Sequence, residues 1–242
     1  MRNKNETISK DMKMSDVILN NPLNILILER FEIALGFNDK SFKDICENTI
    51  NVEVFLTILN LYNNSPFRTT ANFNLEDMQL ILHFLKNSHK YYLLEKYPEI
   101  SANIELMIKT NNDPEIKMVK RFFEEYKKEV AEHINYENDI SFPYILSLFK
   151  AGLDNGDIKE QSMYSIGDFK EHHDDIEDKL TDLKNLLIKY LPQKKDKKAR
   201  RKILIDLFEL EHDLRIHTEI EDKILIPQIE RIENIIKNKK RG

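Results

Sequence analysis

Hydrophobic side chains recur three and four residues apart through most of this chain, with polar residues between them, which is the signature of helices that bury one face. Beyond residue 70 four long stripes stand out. The first runs Met78, Leu82, Leu85, His89, Tyr92, and the second Val119, Phe123, Tyr126, Val130, His133, Glu137, Ile140, Tyr144. The third is Phe169, His173, Ile176, Leu180, Leu183, Leu187, and the fourth Ile203, Leu207, Leu210, Leu214, His217, Glu221, Ile224. They predict four long helices: from a cap at Asn74 to about Lys96, resuming after Pro98; from Asp113-Pro114 to about Ala151; from about Ile166 to Tyr190, stopped by Pro192; and from about Lys198 to Lys237. Gly152 to Ser162 reads as a polar loop. Pro143 and Pro227 fall inside helical patterns and are expected to kink or end each helix shortly after Glu137 and Glu221.

Before Ser65-Pro66 the periods are shorter. One helix is predicted near Ser15, one after Asn21-Pro22 through Leu26, Leu28 and Phe31, one near Ser41, and one after Asn51 with Val54, Phe55, Ile58 and Leu61. Helices this short need one another for stability. The expected organisation is a polar, disordered arm over 1–12, a small helical domain over 13–65, and an up-down four-helix bundle over 74–237, all-α throughout.

Composition agrees. The 242 residues include only 5 Gly and 7 Pro, with 33% charged and 41% hydrophobic side chains, a balance rich in helix formers. A net charge of −5 gives no general attraction to nucleic acid or to an anionic membrane. Cys46 is the one cysteine, which excludes an internal disulfide and a thiolate cage for metal. Without a secretory signal or an apolar run long enough to span a bilayer, the expected location is cytoplasmic.

The chemistry lies where the stripes turn polar. His133-x-x-x-Glu137-x-x-Ile140-x-x-Pro143 recurs as His217-x-x-x-Glu221-x-x-Ile224-x-x-Pro227. A His and a Glu four apart share one helical face, and here that face is the apolar one. A buried ionised carboxylate without a partner costs several kcal/mol or more, so two at equivalent places need a common cause, and a cation supplies one. Phase admits His89 and excludes His83 on the first helix, and on the third it selects His173, with His172 a possible spare ligand. The inward set is therefore His89, His133, Glu137, His173, His217 and Glu221. Four imidazoles and two carboxylates suit a non-haem site of two iron ions bridged by the carboxylates; zinc or manganese has the same ligand preferences.

The segments AEHINYENDISFPYI and RIHTEIEDKILIPQI resemble the two His-x-x-x-Glu helices of the hemerythrin-like domain. NSHKYYLLEKYPEI and EHHDDIEDKL resemble the first and third helices of one branch, the di-iron Repair of Iron Centres proteins, with the likeness covering roughly residues 74 to 232. MSDVILNNPLNILILERFEIALGF and SFKDICENTINVEVFLTIL are similar to the small domain that precedes the bundle in that family. That domain usually carries adjacent cysteines, whereas here Ile33-Ala34-Leu35-Gly36-Phe37 takes their place.

The resemblance implies an oxo-bridged di-iron centre with His89, His133, His173 and His217 as terminal ligands and Glu137 and Glu221 as bridges. It implies small ligands such as nitric oxide, oxygen or peroxide, iron–sulfur client proteins, and a role in repairing clusters damaged by nitrosative or oxidative stress. The alternatives are a gas or redox sensor that signals to a partner protein, and an oxygen or iron store. A monomer and a homodimer are equally compatible with the sequence.

Overall fold

The computed structural model describes residues 7–47, 50–65, 72–111, 114–154, 167 and 176–239. Among these there is no β-strand, only one isolated antiparallel bridge between Lys13 and Ser41, so the fold is all-α. Four short helices come first: α1 (Met14–Asn20), α2 (Asn24–Arg30), α3 (Phe42–Cys46) and α4 (Val52–Tyr62). The long ones follow as α5 (Leu75–Tyr91), α6 (Tyr97–Thr110), α7 (Pro114–Tyr136), α8 (Phe142–Asp154), α9 (Ile176–Asn185), α10 (Lys197–Ile220) and α11 (Ile226–Lys239).

The chain divides into two compact units. The first comprises Met1–Ser88, Tyr144–Met163 and Ile216–Gly242, the second His89–Pro143 and Tyr164–Arg215.

In the first unit the local signals behave as the sequence suggests. Ser41 and Asp44 cap α3 reciprocally, and Asn51 caps α4 by accepting the Glu53 N–H at 2.9 Å. Asn74 and Asp77 exchange side-chain to backbone hydrogen bonds of 2.9 and 3.0 Å at the start of α5. The short helices pack against α5: Phe31 meets Phe55 at 5.0 Å and Phe84 at 4.9 Å between ring centroids, and the Asn87 amide donates to the Arg30 carbonyl at 2.9 Å.

Residues 7–12, expected to belong to a disordered arm, are held in place instead. Buried Ile8 donates its N–H to Asn60 Oδ1 at 2.7 Å and accepts from Asn60 Nδ2 at 3.0 Å, while the Phe42 N–H bonds the Met12 carbonyl. Polar side chains obscured this pairing, because the backbone makes most of it. Cys46 is buried, and burial pushes its thiol up to about 11; it is a core residue rather than a reactive one.

The second unit is a length of four-helix bundle. Tyr92, Tyr97, Ile100, Ile104 and Met107 from the first rod share a core with Val119, Phe123, Tyr126 and Val130 from the second, Leu180, Leu183 and Leu187 from the third, and Ile203, Leu207, Leu210 and Leu214 from the fourth. Cross-rod pairs give the directions. Lys120 pairs with Glu105 and Lys127 with Ser101, so α6 and α7 are antiparallel; Lys96 with Glu209 and Lys202 with Glu99 make α6 and α10 antiparallel as well. These three rods run up and down, as expected.

Among the described residues each rod contains one wider π turn, in which an N–H reaches the carbonyl five residues back. They are π1 (Tyr92–Lys96), π2 (Glu137–Ser141), π3 (Leu186–Tyr190) and π4 (Glu221–Leu225). After π2 and π4 the helices continue through Pro143 and Pro227 as α8 and α11. The prolines therefore do not end them.

Candidate metal centre

Among the described residues, the second unit contains His89, His133 and Glu137 of the predicted ligand set. Glu137, the first residue of π2, is buried. His133 lies one turn earlier on the same face, with Nε2 3.0 Å from Glu137 Oε1. His89 approaches from α5, with Nε2 3.2 Å from Glu137 Oε2. Two imidazoles from different rods therefore flank one carboxylate. Burial alone would raise the Glu137 pKa, but the two imidazoles outweigh it and hold the carboxyl well below the usual range. Glu137 is ionised at neutral pH.

His89 is itself held. Its Nδ1 lies 3.1 Å from Asn138 Oδ1, and its ring stacks on Phe142 at 5.7 Å with planes 10° apart. Asn138 and Phe142 were not among the sequence candidates. A signal was present, because a side chain bearing an oxygen follows the glutamate in both copies of the repeat, as Asn138 and as Asp222.

In the first unit the second copy keeps the pairing inside one rod. His217 Nε2 lies 3.5 Å from Glu221 Oε1, both residues are buried, and Glu221 opens π4 as Glu137 opens π2. His172 and His173 lie outside the described residues. His83 is off the apolar face as its phase predicted: half exposed, it meets Glu32 at 3.4 Å and Asn87 at 2.9 Å. His212, also off phase, pairs with Arg215 at 3.1 Å.

One expectation fails beyond Glu137. Ile140 and Tyr144 were assigned to the inward stripe, yet Ile140 is 44% exposed and Tyr144 only partly buried, while Ser141, Phe142, Ile145 and Phe149 are buried. The π turn accommodates one more residue than an α turn, about 100° of rotation. It moves the buried face on by one position.

The donor set fits a cation on its own evidence. Glu137 Oε2 is buried and accepts no hydrogen bond, although His89 Nε2 is close by. Buried carboxylate oxygens are normally hydrogen-bonded, and an anionic oxygen beside an imidazole nitrogen without such a bond is an arrangement that a cation would satisfy. Nitrogen and oxygen donors without thiolate suit iron, zinc or manganese alike.

Comparison with known proteins agrees with this chemistry. Residues 80–229 match the hemerythrin HHE cation binding domain. The chain belongs to the hemerythrin family. It is also 19% identical over 224 residues to the iron-sulfur cluster repair protein ScdA of Staphylococcus haemolyticus (strain JCSC1435), spanning 90% of this chain and 97% of that protein. That likeness extends through the N-terminal helices and bears out the resemblance to the repair branch. The hemerythrin domain here is a metal-binding domain, and no helix among the described residues is long and apolar enough to cross a membrane.

Proposed function

We propose that the two His-x-x-x-Glu pairs are halves of one centre for two iron ions, held by His89, His133, Glu137, His173, His217 and Glu221, with Glu137 and Glu221 as bridges. The observation that carries this reading is the Glu137 carboxylate, flanked by His89 and His133 and with one oxygen free of hydrogen bonds. The same pairing of residues and π turn recurs at His217 and Glu221. Iron supplies an open coordination position for a small ligand such as nitric oxide, oxygen or peroxide, and a change of oxidation state. The protein would supply imidazoles and carboxylates already held in place.

The reading we favour for the cell is repair of iron–sulfur clusters under nitrosative or oxidative stress, with iron–sulfur proteins as clients. Similarity along nearly the full length of a cluster repair protein supports it. The test is metal analysis with an optical spectrum under air and under nitric oxide, followed by incubation of the iron-loaded protein with a nitric-oxide-damaged cluster enzyme. Two iron ions per chain and recovery of that enzyme are expected; iron retained throughout, with no recovery, would count against repair.

A sensor is the second reading, and one observation favours it. The short helices hold α5 through Phe31 against Phe84 and through Asn87, two residues before His89, while lacking the cysteine pair of the repair branch. Capture of a partner protein that depends on iron oxidation state would decide for sensing.

A further inference from the structure

We propose that Asn138 is a positioning residue that fixes which nitrogen His89 offers to the metal. The inference rests on the metal-centre reading above and goes beyond it by naming a residue outside the ligand set. An amide oxygen can only accept, so Asn138 Oδ1, 3.1 Å from Nδ1, places the imidazole hydrogen on Nδ1. Nε2, the nitrogen 3.2 Å from Glu137 Oε2, is left with the lone pair that would face the metal.

The ring has little freedom to turn away, because Phe142 lies parallel to it at 5.7 Å. All three controls come from one backbone feature. Glu137 opens π2, Asn138 follows it, and Phe142 closes the turn through its N–H on the Glu137 carbonyl. The wider turn thus presents a ligand, the group that orients a second ligand and the ring that supports it, all on the same imidazole. Partners of this kind fix the tautomer and raise the basicity of a metal-bound histidine, and losing one typically weakens metal binding by about 10- to 100-fold.

The test uses the full chain and cobalt(II), titrated in competition with a chelator and followed by its visible spectrum. Asn138→Leu is expected to weaken binding by about 10- to 100-fold with an unchanged melting temperature of the metal-free protein, and Asn138→Asp, which keeps an acceptor, to restore most of it. The decisive readout is a double-mutant cycle. In a His89→Ala background Asn138→Leu should cost nothing further, because its effect passes through that imidazole. Equal affinity for wild type and Asn138→Leu, or an effect that survives the loss of His89, overturns the inference while leaving the metal centre standing. A wild-type chain that fails to bind cobalt overturns the metal-centre reading, and this inference with it. Should Asn138→Leu not fold, Asn138→Ala at the same partly exposed position carries the same cycle to the same two outcomes.

Discussion

The carbonyl of Glu137 accepts the N–H of Phe142, five residues on, and Pro143 follows at once. The same order holds on the other three rods: π1 precedes Pro98, π3 precedes Pro192 and π4 precedes Pro227, each proline being the second residue after its turn. A proline inside a helix has no N–H to donate, and its ring collides with the carbonyl four residues back. Widening the turn just before it relieves that collision, so the first, second and fourth rods pass a residue that ordinarily stops a helix, while the third ends at Tyr190 with Leu191 extended. At Glu137 and Glu221 the widened turn also carries a candidate ligand.

This relationship makes a prediction about length rather than side chains. Deleting exposed Ile140 should turn π2 into an ordinary α turn and keep Phe142, Ile145 and Phe149 inward, so cooperative melting persists, at a lower temperature because the collision at Pro143 returns. Inserting one alanine after Ile140 rotates that buried face by about 100° and should abolish cooperative melting. Circular dichroism on the two variants checks it; equal tolerance of both would disprove the account of the phase shift.

Much of the fold was legible because its determinants are local. The stripes through Leu85 and His89, Val130 and His133, and Leu214 and His217 set both the helices and the inward histidines, and Asn51 and Asn74 cap where the sequence places them. What stayed hidden depends on the backbone or on distant partners. Periodicity assumes an α turn throughout, so it assigned Ile140 to the core. The polarity of residues 7–12 masked backbone pairing to Asn60 and to the start of α3. Asn138 shows its role only once α5 brings His89 alongside it.

Removing the charge of Glu137 tests its place in metal binding. Glu137→Gln keeps size and polarity but loses the anionic oxygen that accepts no hydrogen bond. It should bind iron at least about tenfold more weakly, as metal analysis after dialysis against a chelator would show. The metal-free protein should melt somewhat below wild type, since a carboxyl held down by His89 and His133 contributes stability at pH 7 that the amide does not. A variant that held both irons as tightly as wild type would remove Glu137 from the site.

Acid sensitivity should come partly from Asp196. Burial pushes its pKa up, but the Arg200 guanidinium, at 2.7 and 2.9 Å, and the Lys194 N–H, at 2.9 Å, hold it below the ordinary 3.8. A depressed carboxyl contributes stability above its unfolded pKa and loses it as pH falls through the folded value. Wild type should therefore lose stability on acidification below about pH 4, and Asp196→Asn should be less stable at pH 7 with a shallower acid limb. Urea melts between pH 3 and 7 measure both; parallel curves would exclude Asp196.

The heaviest single penalty is expected at Lys96. Its ammonium, buried between rods, meets Asp206 at 2.9 Å, Glu209 at 3.0 Å and Glu99 at 3.5 Å, and Asp206 is fully buried. Burial lowers its pKa, but the hydrogen bonds it donates to Asp206 and Glu209 more than reverse this, so the group stays protonated far into alkaline pH. Removing one partner of a buried pair leaves the other charge stranded, at a cost of about 3 kcal/mol or more. Lys202, 2.6 Å from the same Asp206 oxygen, is half exposed and takes up only part of that loss. Lys96→Met should thus lower unfolding free energy by about 3 kcal/mol, and adding Asp206→Leu should recover most of it, because the second change removes the stranded charge. Denaturant melts of the two single variants and the double variant decide the matter, and strictly additive losses would mean that the pair is not coupled.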